Sequence, residues 1–205
     1  MRAPASSPQE PAMSEPTSRQ RLIEAAIEAF AERGFHATTT RDISTRAGMS
    51  PAALYVHHAS KEQLLYEVSS FGHADTLAMV REVYASSEDP VERLRLMQYE
   101  FTRWHAVHQQ KARVVQYEIA ALTPEHRREV AGYRRDIEQV YRDAIGAGVD
   151  KGVFDVEDVR GTALALISMA IDLVRWYQAE GPRTPEGIAD LYAQLALRAV
   201  GVSDA

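Results

Sequence analysis

The chain has 205 residues, of which 45% are hydrophobic and 25% are charged. This composition is typical of globular proteins and excludes a collagen, a coiled-coil rod and a chain disordered throughout. The sequence contains no cysteine, which excludes disulfide frameworks, thiol nucleophiles and cysteine-ligated metal sites. No window approaches the roughly 18 apolar residues of a membrane span, and no signal peptide is visible, so we expect a cytoplasmic protein.

The formal net charge of −6 is unevenly distributed along the chain. Residues 17–66 carry 6 Lys/Arg against 5 Asp/Glu, whereas residues 67–205 carry 16 against 22. The electrostatic footprint of a nucleic-acid binder is local. The overall acidity therefore does not exclude DNA binding by the first third of the chain.

Residues 1–16 are rich in proline, serine and alanine and lack apolar periodicity, which predicts a disordered tail. Beyond them, apolar residues recur with helical spacing between Pro and Gly breaks, and no segment alternates like a strand. The sequence therefore predicts an all-α protein of about nine helices. Three short helices are expected before residue 61, the first over about 18–33. The others are expected over about 61–84, 90–109, 112–122, 124–149, 156–179 and 185–200.

Residues 40–55 have the features of a helix-turn-helix. Thr39 and Asp42 form a variant capping box that opens a helix ending at Gly48. The Ser50-Pro51 pair then begins a second helix. Small residues follow, and these permit a close approach of that helix to the major groove of DNA.

The run from Ala29 to Leu65 resembles the DNA-binding domain of the TetR family of bacterial regulators. The segments that carry the resemblance are Phe30-Ala31-Glu32-Arg33-Gly34-Phe35, Thr38-Thr39-Thr40-Arg41-Asp42-Ile43, Ala47-Gly48-Met49-Ser50, Leu54-Tyr55 and Ser60-Lys61-Glu62. The resemblance implies an N-terminal three-helix bundle with a helix-turn-helix over residues 17–64. It also implies a helical ligand-binding and dimerisation domain over residues 65–205.

Transferred position by position, the resemblance implies a set of DNA contacts that mostly position the protein on phosphates. The residues concerned are Thr40, Arg41, Ser50, Pro51, Ala52, Ala53, Tyr55, His57 and Lys61. Two of them have alternative roles, since Tyr55 can be a core aromatic and Lys61 a solvated residue at a helix start. The family usually has Phe at the position of His58, so either His58 packs as a partly buried ring or the junction to the next helix differs.

Wide apolar stripes on the last two helices suit a four-helix packing across a dyad, and the resemblance implies that these helices dimerise. The stripes consist of Ala163, Leu166, Ile167, Ala170, Ile171 and Val174 on one helix and Ile188, Leu191, Tyr192 and Leu195 on the other.

Large amphipathic residues between positions 97 and 118, with others opposite them, suit the wall of a small-molecule site. The expected ligand-binding residues are Met97, Tyr99, Trp104, His105, His108, Gln116, Tyr117, Met169, Asp172, Arg175 and Trp176. Core packing is the alternative role for each. The segments 113–118 and 174–177, followed by Gly181-Pro182, resemble a TetR subgroup that regulates fatty-acid and sterol catabolism. This second resemblance implies an acyl-CoA inducer, whose phosphates Arg103, Arg113 and Arg175 could bind.

These patterns favour a homodimeric repressor that a small apolar or acyl-CoA-type inducer releases from operator DNA. No cofactor, metal or membrane partner is predicted. One alternative is a DNA-binding architectural protein without a ligand. A less favoured one is a metal-responsive repressor that uses His105, His108 and Asp172. An enzyme is not expected, because no Gly-rich phosphate loop or Ser-His-acid motif is present.

Overall fold

The structure is a computed structural model that describes residues 16–202. The predicted tail, apart from its last residue, lies outside this part of the chain. The described residues form nine α-helices and no strand, which confirms the all-α prediction. The helices are α1 (Ser18–Ala37), α2 (Thr40–Arg46), α3 (Pro51–His57), α4 (Lys61–Ala85), α5 (Pro90–Val107), α6 (Gln109–Tyr117), α7 (Pro124–Asp150), α8 (Val159–Trp176) and α9 (Pro185–Ala199).

Most helix boundaries lie within a few residues of those predicted. α1 is assigned to Ala37, yet Gly34 has φ 76° and ψ 164°, so the regular helix stops there as expected. α6 begins at residue 109 and gives way to a 3₁₀ turn at Ile119–Ala121. α8 is shorter than predicted. It begins at Val159 and ends at Trp176, and the backbone is extended at Tyr177.

Side-chain caps fix the starts of the short N-terminal helices. Thr39 and Asp42 form the predicted capping box, in which the Asp42 amide donates to Thr39 Oγ1 at 3.1 Å and the Thr39 amide donates to Asp42 Oδ2 at 2.9 Å. Ser50 Oγ accepts from the Ala53 amide at 3.2 Å. Gly48 adopts φ 68°, a left-handed conformation that ends α2 and turns the chain into α3.

Two apolar clusters hold the helices together. The N-terminal cluster joins α1, α2, α3 and the first half of α4 to residues from α6 and the start of α7. Its buried members are Leu22, Ala25, Ala26, Ala29, Phe30, Phe35, Ile43, Leu54, Leu64, Leu65, Val68, Val114, Val115, Leu122 and Val130. The C-terminal cluster is built from α4, α5, α7, α8 and α9 around Met97, Phe101 and Tyr141. In the part of the chain that the structure describes, no helix is long and apolar enough to cross a membrane.

Candidate functional site

The outer face of α3 carries small exposed residues, as the helix-turn-helix prediction requires. Ser50, Pro51 and Ala52 are exposed and Ala53 is half-buried. On the opposite face of the helix, Leu54 is fully buried in the N-terminal cluster. Burial of that leucine anchors α3 so that the small residues point outward and can approach another surface closely.

Polar side chains flank this face at the start of α2 and the end of α3. Tyr55 is 56% exposed, so it is not a core aromatic. Its hydroxyl lies 3.3 Å from Thr40 Oγ1, which brings the two predicted phosphate contacts together. Arg41 and His57 are also exposed. These groups line one surface on either side of α3.

Most other arginines near this surface are engaged with carboxylates. Arg46 bonds to Glu32 at 2.6 Å and to Glu28 at 3.0 Å, and Arg33 lies 3.6 Å from Asp42. These exposed pairs add little to stability, but they reduce the positive potential of the surface. The nine predicted DNA-contact residues include two permanent cations, Arg41 and Lys61. Of these, Arg41 is exposed and Lys61 is half-buried.

Lys61 has a role that neither sequence interpretation included. Its ammonium donates to the carbonyl oxygens of Phe35 at 2.6 Å and Thr38 at 2.7 Å, and it lies 4.2 Å from the centre of the Phe35 ring. Burial lowers the pKa of Lys61. An ammonium has three protons, so at most one of them remains for a phosphate. The side chain fastens the end of α1 to the start of α4.

His58 packs as a buried ring, which agrees with the first of the two alternatives considered for it. It is 1% exposed, and its Nδ1 lies 3.2 Å from Glu67 Oε1. Glu67 Oε2 accepts from Arg19 Nη2 at 2.7 Å. Burial lowers the pKa of His58, although Glu67 opposes this effect. The three side chains connect the α3–α4 junction to the first turn of α1.

A cavity of about 610 Å³ lies among α4, α5, α6, α7 and α8. Four of the eleven predicted ligand-binding residues line it, namely Trp104, His105, Gln116 and Asp172. Ile167 and Ile171, which were predicted for the dimer interface, line it as well. The rest of the wall is formed by Gly72, His73, Thr76, Phe101, Ala112, Val115, Ala131, Arg134, Arg135, Ile137, Glu138, Leu164 and Ser168.

The other seven predicted ligand residues lie away from this cavity. Met97 is fully buried in the C-terminal cluster, and Met169 packs against the same cluster. His108 lines a separate groove beside α1, and Tyr117 a shallow one beside Phe30. The remaining three are the half-buried Tyr99 and the exposed Arg175 and Trp176. The sequence indicates which residues are large and amphipathic, but not which side of each helix faces the empty space.

The histidines of the cavity are held neutral by their surroundings. His73 Nδ1 lies 2.8 Å from the Ser69 carbonyl, and His105 Nδ1 lies 2.7 Å from the Phe101 carbonyl, so each ring donates to its own helix. Burial lowers the pKa of both rings to about 4. His105 and His108, the proposed metal pair, face two different spaces.

Sequence reasoning missed two polar members of the cavity wall, the buried His73 and the half-buried Arg134. A signal for Arg134 was present, since it lies on the helical stripe of Val130, Ile137 and Tyr141 along the buried face of α7. A charged residue on an apolar stripe is seldom buried without a reason. His73 offers no comparable signal, because its neighbours along α4 are mixed in character.

The predicted dimer stripes are used largely inside the single chain. Because their side chains already pack within it, six of the ten residues cannot form the outer surface of an interface. These are Ala163, Leu166, Ala170, Val174, Ile188 and Tyr192. Leu195 is exposed and Leu191 is half-buried. The outer face of α8 instead presents Leu164, Ser168 and Trp176.

Comparisons with known proteins identify the family to which this helical architecture belongs. Residues 22–68 match the family of bacterial regulatory proteins called tetR, and residues 87–200 match the tetracyclin repressor-like C-terminal domain. The chain is 32% identical over 184 residues to the HTH-type transcriptional repressor KstR2 of Mycobacterium tuberculosis, which covers 87% of this chain and 90% of KstR2.

Solved structures agree with these matches. A bacterial regulatory protein of the tetR family from Rhodococcus RHA1 superposes with a TM-score of 0.87 at 39% identity, over 92% of this chain and 99% of that one. The ketosteroid transcriptional regulator KstR2 of Mycobacterium tuberculosis superposes with a TM-score of 0.82 at 28% identity, over 90% of this chain and 95% of that one. The relatives are regulators and not enzymes. The chain belongs to the TetR family of DNA-binding transcriptional regulators.

Proposed function

We propose that this protein is a homodimeric repressor and that a small ligand bound in the 610 Å³ cavity releases it from operator DNA. Residues 17–64 read the DNA, and residues 65–205 bind the ligand and the partner subunit. One observation carries the proposal. A single helix, α4, lines the cavity at His73 and Thr76 and also holds the helix-turn-helix at its N-terminal end.

The connection between α4 and the DNA-binding unit consists of polar and apolar contacts. Lys61 binds the end of α1, and Glu67 binds both His58 and Arg19. A displacement of the first turns of α4 therefore carries α1, α2 and α3 with it. Val115 adds a direct connection, since it lines the cavity and belongs to the N-terminal cluster.

Release follows if the ligand binds better to the arrangement in which the two recognition helices no longer fit their half-sites. A ligand with equal affinity for both arrangements shifts nothing. We expect the recognition surface to remain folded on ligand binding, because Leu54 and Ile43 are fully buried in the N-terminal cluster, away from the cavity. The ligand thus repositions the helix-turn-helix without melting it.

The exposed face of α8 supports dimerisation through this helix and α9. Leu164 and Ser168 are exposed and at the same time line the cavity. A partner subunit packed on this face would cover the mouth of the cavity. Such an arrangement makes ligand binding sensitive to how the two subunits are packed.

The size and lining of the cavity favour a ligand with a large apolar part. Its volume is within the 300–1,000 Å³ range of ordinary ligand sites. KstR2 is named as a ketosteroid regulator, and the subgroup resemblance favours acyl-CoA thioesters. The acyl or fused-ring portion of such a molecule suits the cavity. Its nucleotide would lie outside, beside the exposed Arg135.

The test combines a ligand screen with a DNA-release assay. A duplex is first selected from random sequences by the purified protein, and acyl-CoA thioesters and the corresponding free acids are then ranked by the thermal stabilisation they produce. We expect the most stabilising ligand to weaken binding to the selected duplex by about ten-fold or more, a coupling of about 1.4 kcal/mol. Simultaneous binding of ligand and duplex with unchanged affinities would contradict the proposal.

The same assay separates this function from that of an architectural DNA-binding protein. Such a protein would yield no preferred duplex from the selection, and its affinity would follow salt concentration without a unique footprint. A defined footprint of two half-sites, spaced by about one helical turn, supports the dimeric repressor.

A further inference from the structure

Arg134 is a charged residue on the buried side of α7. It lies one helical turn from Val130 and from Ile137, both of which are buried, and it lines the cavity. Burial lowers the pKa of its guanidinium, which nevertheless remains charged at all ordinary pH values. The cavity therefore has a permanent positive charge in its wall.

Neutral groups are the observed partners of this guanidinium. Its Nε donates to Nε2 of His73 at 3.2 Å, and its Nη2 donates to Oε1 of Gln116 at 2.5 Å. His73 is neutral because its pKa is about 4. Within residues 16–202, no carboxylate forms an ion pair with Arg134.

The two carboxylates of the cavity wall are already engaged with other arginines. Glu138 pairs with Arg160 at 3.2 Å, and Asp172 pairs with Arg175 at 2.9 Å. Neither is a partner of Arg134. Arg134 is half-buried, and removing a charge from water without a counter-charge is costly, so an anion bound in the cavity would offset this cost.

We propose that the cavity selects a ligand with a free carboxylate and that Arg134 binds this carboxylate. The inference deepens the proposed function and rests on it. A guanidinium has five donors in a planar fork, and His73 and Gln116 occupy two of them. The remaining donors suit the two oxygens of one carboxylate. The apolar walls around Phe101, Ile137 and Ile171 then receive the hydrocarbon part of the same molecule.

Binding at Arg134 also alters a contact between two helices. The Arg134–His73 hydrogen bond joins α7 to α4 across the cavity. A carboxylate on the remaining donors attracts the guanidinium more strongly than the neutral imidazole does, because hydrogen bonds to charged acceptors are stronger. A shift of the guanidinium toward the carboxylate changes how α4 is held against α7, and α4 is the helix that carries the DNA-binding unit.

The experiment uses three probes with the same hydrocarbon length, which are decanoate, 1-decanol and decanoyl-CoA. Their affinities for the full chain are measured by calorimetry. We expect decanoate to bind about 10–100-fold more tightly than 1-decanol, the ratio that one charge-assisted contact supplies. Arg134→Gln should remove this advantage and leave the affinity for 1-decanol unchanged.

The matched control is Arg128→Gln, an exposed arginine of the same helix that does not line the cavity. It should preserve the preference for decanoate. Arg134→Lys keeps the charge without the fork, and it should retain part of the preference. If Arg134→Gln fails to fold, this lysine variant provides the comparison, and a full preference in it would contradict bidentate binding.

The outcomes separate this inference from the proposed function. Equal affinities of decanoate and 1-decanol in the wild-type protein would overturn the carboxylate assignment, as would the absence of binding by all three probes. Tight binding of decanoyl-CoA without binding of decanoate would also overturn it, because the thioester has no free carboxylate. That last result would leave a ligand-responsive repressor intact, with an acyl-CoA inducer.

Discussion

The regions around the N-terminal and C-terminal clusters differ in the partners that their buried polar side chains have. Beside the N-terminal cluster, two buried polar side chains have partners within the same unit: Thr38 donates to the carbonyls of Ala29 and Gly34, and His58 contacts Glu67, which pairs with Arg19. The C-terminal region instead surrounds a cavity with neutral histidines and an arginine without a carboxylate. The comparison indicates that the proposed DNA-reading unit rests on a closely packed core, whereas the proposed ligand site contains empty space and a charge without a counter-charge.

The largest expected effect that tests this comparison is a loss of stability in acid. His73 and His105 have folded-state pKa values of about 4, against an ordinary value of 6.5. Between these values the unfolded chain binds more protons than the folded chain. The free energy of unfolding should therefore be highest above pH 6.5 and should fall as the pH falls to about 4, by an amount on the order of 3 kcal/mol for each ring.

Urea unfolding followed by tryptophan fluorescence measures this effect, since both tryptophans, Trp104 and Trp176, lie in the C-terminal region. His105→Asn should reduce the loss between pH 6.5 and 4, whereas His36→Asn, at an exposed histidine of α1, should not. An unaltered pH profile in His105→Asn would show that the ring is not held neutral by burial.

The next largest effect concerns the residues that the N-terminal cluster takes from α6. Val114 is 1% exposed and packs in that cluster, so Val114→Ala should lower the free energy of unfolding by about 2 kcal/mol through the cavity it leaves. Val107, half exposed at the end of α5, is the matched control. DNA binding at raised temperature should be lost earlier in Val114→Ala than in Val107→Ala. Equal stabilities of the two variants would contradict a shared core.

The smallest expected change in stability tests whether Lys61 has a structural role or contacts DNA. Lys61→Met removes two hydrogen bonds to carbonyls and should lower the free energy of unfolding by about 1–2 kcal/mol. It should leave the salt dependence of DNA binding unchanged. Arg41→Ala should do the reverse, since one lost phosphate contact makes the slope of log K against log salt less negative by about one. A reduced slope in Lys61→Met would restore its sequence-based role.

The sequence predicted the fold well, because local signals determine most of it. The caps at Thr39 and Ser50 and the turn at Gly48 depend only on residues within a few positions of one another. The number of helices in residues 16–202 follows from apolar periodicity in the same way. The ends of α6 and α8 were harder to predict, because they depend on how the helices pack.

The cavity was predicted less well, because its geometry depends on contacts between distant residues. Trp104 and Met97 lie on the same helix and are both large, yet only Trp104 reaches the empty space. Arg134 and His73 are 61 positions apart and meet through the packing of α7 on α4. Apolar periodicity identifies a buried stripe but does not distinguish a face that packs from a face that lines a cavity.

Val115 has a consequence for protein engineering. Because this valine belongs to the N-terminal cluster and also lines the cavity, the chain cannot be divided at residue 65 into interchangeable modules. A chimera that joins the first 64 residues to a foreign regulatory domain would leave Phe30 of α1 without the partners that α6 supplies. A transplantable DNA reader from this protein would have to include α6 and the start of α7.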